Sequence, residues 1–475
     1  MIGIKEGKLV PGVLEKWEMA PDNLSWVLTV RKGIKFHDGS DLTAKDVKFS
    51  IEQYMRPEAF LRDMGRSVDH VNQESEYIVR VYTQGPQPLF AYILTGFAKN
   101  QGMVMSKNYV DLNGYDYMVE HPMGSGPWKF SKHVSGDRVE YTAVKNHWRQ
   151  TPAFENLILF LVPEESTRIA MLKTGDADII NVSTQGGVEL EQDGYTIEEM
   201  LLVQPRLHVT GALDPRAAGR PIADIRVREA LQISINQDEI VKALFYGKAV
   251  GAMPARVLYG LPELDSDYWQ EYLKKDLAYD LERAKELLAQ AGYPDGFSDL
   301  KLFVTEQTGM EYVNDLAVIV QQYWKAIGVN ADIVPMQSST YSEVRREPQD
   351  LIVGHASFGI TGAFAPAVLL MEALFGSQGS GTLVSRRVPG GDVEIYTPEL
   401  EALLAAYKVE PNQAKREEIL AEAIQMTLDL RVTIPFGQVP ASMAVGPRVK
   451  FNPADLKQPL TTAAAATWAD LAQHK

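Results

Sequence analysis

From Trp26 to Arg31 the side chains of Trp-Val-Leu-Thr-Val-Arg alternate at period two, the pattern of a half-buried strand. Asp38-Gly-Ser40 then supplies a tight turn, since Asp, Gly and Ser each favour turns for a physical reason. Thr43 with Asp46 three residues on is a capping-box variant, and Val47, Ile51 and Tyr54 behind it share one helical face at i, i+4, i+7. Strand-like alternation returns in Arg138–Val144. Phe160-Leu-Val-Pro163 reads as a strand, Ser166 to Lys173 as a helix ended by Gly175, and Asp176–Ile180 as the start of a further strand. Asp280 caps an amphipathic helix whose stripe is Leu281, Ala284, Leu288 and Ala291 and whose end is Gly292. A strand at Leu300–Val304, a helix over 310–327 stopped by Gly328, and a strand at Val329–Val334 complete a βαβ unit, which implies a parallel sheet. The last long helices start at Thr397-Pro398 and after Pro411-Asn412. This alternation of strand and helix predicts an α/β fold rather than a β-sandwich.

At 475 residues the chain is too long for one ordinary core, so two or three domains are expected. Its 45% hydrophobic and 23% charged residues are those of a soluble globular protein. No apolar run approaches the roughly 18 residues of a membrane span. The net charge of −15 repels nucleic acid, so a DNA or RNA partner is not expected. The absence of cysteine excludes thiol catalysis, disulfides and cysteine-based zinc sites together.

Motifs for catalysis are missing: there is no nucleophile elbow, His-Glu-x-x-His helix, Walker loop or Gly-x-Gly-x-x-Gly fingerprint. Gly354-His-Ala-Ser-Phe-Gly359 is one residue out of register with an elbow. His121, His133 and His147 are spread over strands and turns, so no metal site and no cofactor are predicted. Gly376-Ser-Gln-Gly-Ser-Gly381 lacks the flanking strand and helix of a phosphate cradle and reads as a loop. No catalytic residue is therefore assigned, and the chain is not expected to be an enzyme.

Several separated segments resemble the family 5 extracellular solute-binding proteins that serve dipeptide, oligopeptide and nickel ABC importers. They are Leu9–Glu18, Trp26–Gly39 and Thr43–Ser50; Gly124-Ser-Gly-Pro-Trp-Lys-Phe130, similar to the family's Gly-Thr-Gly-Pro-Tyr; Asn146-His-Trp-Arg149, at the family's Asn-x-x-Tyr-Trp; and Pro221–Leu231 with its Asp-x-Arg-Val-Arg-x-Ala phrase. The resemblance implies an α/β class II periplasmic-binding-protein fold, two lobes joined by a two-strand hinge, with an extra subdomain in the first lobe. Residues 1–120 would be that extra subdomain, 121–205 with 440–475 the core of lobe 1, and 206–436 lobe 2. The expected crossings are Leu202–Val209 and Thr433–Ala444.

The resemblance also implies a function: a monomeric substrate-binding component that captures a peptide-like or other small organic solute in an interlobe cleft. Closure on the solute then presents it to an ABC permease in the membrane. A small-substrate hydrolase using the same cleft, and a receptor module for chemosensory signalling, are the rivals. Met1–Lys8 contains no export signal, whereas family members carry one ahead of the Leu-Val-Pro-Gly segment. The expectation is therefore a chain truncated at its N-terminus, from a periplasmic or extracellular membrane-associated protein.

In peptide-binding relatives, the region matching Leu351–Pro366 is a strand running into Trp-x-x-Asp, whose aspartate pairs with the ligand's α-ammonium. Here Phe358 stands at the Trp position, and Thr361 or Gly362 replaces the aspartate. No acidic residue lies between Asp350 and Glu372, and a buried ammonium without a carboxylate is costly. A neutral or amine-blocked solute is thus expected, with Phe358 as a packing face and His355, Ser357 and Thr361 as polar contacts. Core packing is the competing reading of Phe358. Asn181, Ser183 and Thr184, and likewise Glu306 and Gln307, follow predicted strands and are placed by position at the strand ends where α/β sheets bind ligands.

Overall fold

The computed structural model describes residues 1–5, 8–59, 63–95, 101–251, 253–257, 259–261, 263–305, 312–337, 340, 353–361, 366–377, 383–387, 393–450 and 472–474. Two compact units result. Unit 1 comprises Met1–Ile180, Lys408–Pro411 and Val445–Lys475; unit 2 comprises Asn181–Tyr407 and Asn412–Ala444.

In unit 1, strands β1 (Leu14–Met19), β2 (Ser25–Val30), β3 (Val68–Ser75) and β4 (Ile78–Thr83) form an antiparallel sheet in the order β1-β2-β4-β3. Alternation in β2 buries Trp26, Leu28 and Val30, with Trp26 opposite Val81 and Leu28 opposite Val79. Helix α1 (Ala44–Met55) supplies Val47 and Ile51 to the same core. The capping box at its start is complete: Asp46 Oδ2 accepts from Thr43 N at 3.0 Å and from Thr43 Oγ1 at 3.3 Å. Asp46 Oδ1 also accepts from Lys107 N at 2.9 Å, so a single buried carboxylate ties the helix start to the first residue of the helix Lys107–Asn113. The Asp38 turn forms as its chemistry predicts, with Ser40 N donating to Asp38 Oδ1 at 2.9 Å.

A second antiparallel sheet joins β5 (Trp128–Val134), β6 (Arg138–Ala143) and β7 (Asn156–Phe160). The strand predicted at Phe160–Pro163 instead ends at Phe160. Among the described residues its partner is β6, whose first residue, Arg138, stands opposite Phe160; one further bond, from Leu161 N to Asp137 O at 2.7 Å, ends the pairing, and Pro163 has no N–H to extend it. The next helix, α2 (Glu165–Thr174), ends at Gly175 in the left-handed region (φ 83°), as predicted.

Unit 2 is built on a seven-stranded sheet. Its strands are β8 (Ile179–Val182), β9 (Thr196–Thr210), β10 (Phe297–Val304), β11 (Val329–Pro335), β12 (His355–Thr361), β13 (Thr433–Pro435) and β14 (Val439–Val445). The order is β8-β14-β9-β12-β10-β11, with β13 also pairing β9. Residues 181–205 and 440–444 cluster with this unit rather than with residues 121–180, because β9 is continuous through Pro205 and β14 through Ala444. β10 and β11 are parallel, crossed by the helix Tyr312–Ala326, whose Val313, Leu316, Val320 and Trp324 are buried. The helix capped by Asp280 buries Ala284, Leu287 and Leu288. Leu281 and Ala291, predicted in its stripe, are half-buried because they sit at its two ends, past the turns that pack against the helix Ile225–Ile233.

Candidate functional site

The sheet places β12 between β9, its antiparallel partner, and β10, its parallel one. Directly opposed residues on neighbouring strands share a face, so the register sorts the two sides of β12. Leu207 opposite Phe358, and Val209 and Leu302 opposite Ala356, make one side apolar. Phe358 is 2% exposed, and its ring centroid lies 5.8 Å from that of Phe436. Its position is that of a core residue.

The other side is polar and closed to solvent. It carries Arg206, His208 and Thr210 from β9 and His355 and Ser357 from β12, all buried. Thr210 Oγ1 and Ser357 Oγ share a hydrogen bond at 3.1 Å. His355 Nδ1 accepts from the Lys301 amide at 3.2 Å, while its Nε2 lies 2.9 Å from Arg220 Nη1. Both ring nitrogens thus face donors. Burial first, then the charges of Arg220 and Lys301, hold the His355 pKa down at about 4. Gly354 (φ 73°) makes the Arg220 approach possible, because a Cβ there would sit 2.4 Å from Arg220 Cδ.

Arg206 is the unusual member of this face. Its Nη2 donates to Gln204 Oε1 at 2.9 Å, and Gln204 Nε2 in turn donates to Val257 O at 2.9 Å. Its Nε and Nη1 are buried without a hydrogen-bond partner. Burial, and then the charge of Arg256, push its pKa well below the ordinary arginine value.

The structure therefore brings together two of the predicted residues, His355 and Ser357, and adds Arg206, His208 and Thr210. The signal for these three lay in the chain, since Gln204, Arg206, His208 and Thr210 are polar at every second position of an otherwise apolar run. Thr361 closes β12 opposite Gln204. Phe358, Asn181, Ser183 and Thr184 are not on this face. Asn181 lies in the edge strand β8, which β14 separates from β9, and Ser183 and Thr184 follow it into the helix Thr184–Gln192. Ser183 Oγ is engaged there as a helix cap, accepting from Gly186 N at 3.0 Å, and Thr184 is buried. Glu306 and Gln307 lie outside the described residues.

Among the described residues no group of three or more His, Asp or Glu is arranged to hold a metal ion. In unit 1, His37 Nε2 meets Gly126 O at 2.8 Å and His147 Nε2 meets Ser125 O at 2.9 Å, and burial first lowers both pKa values. Gly354–Gly359 enters a regular strand rather than the strand-to-helix turn of a nucleophile elbow.

Residues 8–382 match the model of the bacterial extracellular solute-binding proteins, family 5. The dipeptide-binding protein of Escherichia coli K12 is 26% identical over 361 residues, 70% of this chain and 64% of that protein. The chain thus matches less than two thirds of that relative's length. Heme-binding protein A of Haemophilus influenzae is 24% identical over 480 residues, 95% of this chain and 83% of that protein. The periplasmic binding protein DppA of Helicobacter pylori, solved with the peptide STSA, superposes with a TM-score of 0.72 at 21% identity, covering 97% of this chain and 91% of that one. The fold is that of the periplasmic binding proteins, and the chain belongs to the family 5 bacterial extracellular solute-binding proteins.

Proposed function

We propose that this protein is the substrate-binding component of an ABC importer: it captures a peptide-like or other small organic solute and delivers it, chemically unchanged, to a membrane permease. The observation that carries this reading is the family match, which runs through residues 8–382 and so spans parts of both units. In this reading residues 1–120 act as the family's extra subdomain and 206–436 as the second lobe. The protein works outside the cytoplasm as a monomer and has no catalytic role. Among the described residues no helix is long and apolar enough to cross a membrane.

The solute is neutral at its amino end or carries no amine. Support comes from the stretch between Asp350 and Glu372, which holds no carboxylate to receive an ammonium, and from the polar face beside it, whose charged members are arginines. His355, Ser357 and Thr361 supply polar contacts from β12. Isothermal titration with free dipeptides and with their N-acetylated forms tests this. Saturable micromolar binding of the acetylated forms is expected, and equal or tighter binding of the free-amino forms would refute the amine-blocked solute. A panel of chromogenic glycoside and peptide substrates should show no turnover.

A further inference from the structure

Among the described residues three arginines are buried, and two of them show how the fold satisfies such a group. Arg228 gives Nη1 to the carbonyls of Ile222 and Ala223 at 3.1 and 2.9 Å and Nε to Leu430 O at 3.0 Å. Arg168 gives Nη1 to the carbonyls of Val162 and Pro163. In both cases backbone oxygens surround the guanidinium and take the place of water.

Arg206 has no such cage. One neutral amide oxygen, from Gln204, receives one of its nitrogens, and Nε and Nη1 have none. The residue is 1% exposed, and after burial the charge that bears on it is another cation, Arg256. Arg256 itself holds a left-handed backbone (φ 63°), which a non-glycine residue adopts only at a cost. Burying a cation without acceptors is costly, and the groups that would offset it here are acceptors for Nε and Nη1, a role suited to an anion. The same face of the two strands carries His208, Thr210, His355 and Ser357, none of them a carboxylate.

We infer that Arg206 is an anion-recognising residue of unit 2, and that the solute bears a carboxylate which takes up its unused Nε and Nη1 donors. The inference rests on the proposed solute-binding role and narrows it. The solute is an organic acid or an amine-blocked peptide with a free carboxyl end. An arginine fits this task because its donors are fixed in a plane and it keeps its charge where a lysine would lose it.

The test uses the full chain, immobilised, and two probes: an N-acetylated tryptic digest of casein, and the same digest with its carboxyl groups converted to methylamides. Mass spectrometry reads what each retains. The wild-type protein should retain members of the acid digest and at least tenfold less of the amidated one, and Arg206→Met should lose at least tenfold of that retention. Retention indifferent to amidation, or unchanged in Arg206→Met, overturns the inference and leaves the solute-binding role standing. Retention of neither digest by the wild type overturns the inference as well, and would count against the peptide-like solute itself. A measurement without any probe guards against a misfolded variant: the solute-free melting temperature of Arg206→Met should equal or exceed that of the wild type. A clear fall with both Arg206→Met and Arg206→Leu would show that the guanidinium is already satisfied, which also overturns the inference.

Discussion

Replacing His355 with glutamine should abolish an acid-dependent loss of stability that the wild-type chain shows. In the folded chain both ring nitrogens face donors, the Lys301 amide at 3.2 Å and Arg220 Nη1 at 2.9 Å. A neutral imidazole offers one lone pair in the ring plane and an imidazolium offers none, so protonation would set N–H groups against N–H groups beside a guanidinium. The folded pKa is accordingly about 4, against 6.5 for a free histidine. Because the folded value is the lower one, the unfolded chain takes up this proton first as the pH falls. The contribution to stability is complete above 6.5 and is lost progressively as the pH drops towards 4. At about 1.4 kcal/mol for each pKa unit, the loss across that window is about 3 kcal/mol. Urea unfolding of the wild type and of His355→Gln, followed from neutral pH down to about pH 4.5, measures it. Other groups titrate in both proteins and cancel in the comparison. The variant should lose about 2–3 kcal/mol less stability than the wild type over that range. If the two curves run parallel within about 0.5 kcal/mol, His355 is not held neutral by this surrounding and the reasoning fails.

The capping box makes a sharper structural prediction. Asp46→Ala removes a helix cap, worth about 1 kcal/mol, and strands the Lys107 amide, at about 1–3 kcal/mol. Urea unfolding should register a loss of about 2–4 kcal/mol, whereas Thr43→Ala, which leaves the Lys107 contact intact, should cost about 1 kcal/mol. In unit 2, Arg431 Nη1 and Nη2 meet Asp276 at 2.6 Å each, with both side chains 16% exposed. Asp276→Asn should destabilise by about 3 kcal/mol, and the double variant Asp276→Leu/Arg431→Met should be less damaged than either single change. Differential scanning calorimetry distinguishes these cases, and additive losses would show that the pair is not coupled.

Elements whose cause is local could be read in the chain. The Thr43–Asp46 box, the Asp280 cap, the Gly175 stop and the βαβ unit of 297–335 each depend on residues a few positions apart. The same holds for the Asn412 cap of the helix Gln413–Asp429. What escaped depends on distant pairing. The strand at Phe160 stops where its pairing with β6 ends at Arg138, a limit set by a strand earlier in the chain. Arg206, His208 and Thr210 are only spaced polar residues until β12, well over a hundred positions later, pairs alongside and brings His355 and Ser357 to the same face. Phe358 shows the converse. Its place in the chain leaves a ligand-facing ring and core packing both open, and register with Leu207 sets it on the apolar side against Phe436. The family was therefore legible from short segments, and the composition of the polar face was not.

The most direct measurement is native mass spectrometry of the full chain, purified without denaturation after expression with an export signal and again after incubation with the acetylated acid digest. Import binding predicts a stoichiometric one-to-one adduct that dissociates as the intact, chemically unaltered solute, carries a carboxylate, and is lost in Arg206→Met. A protein that stays unliganded throughout, or that releases its small molecule hydrolysed, would contradict it.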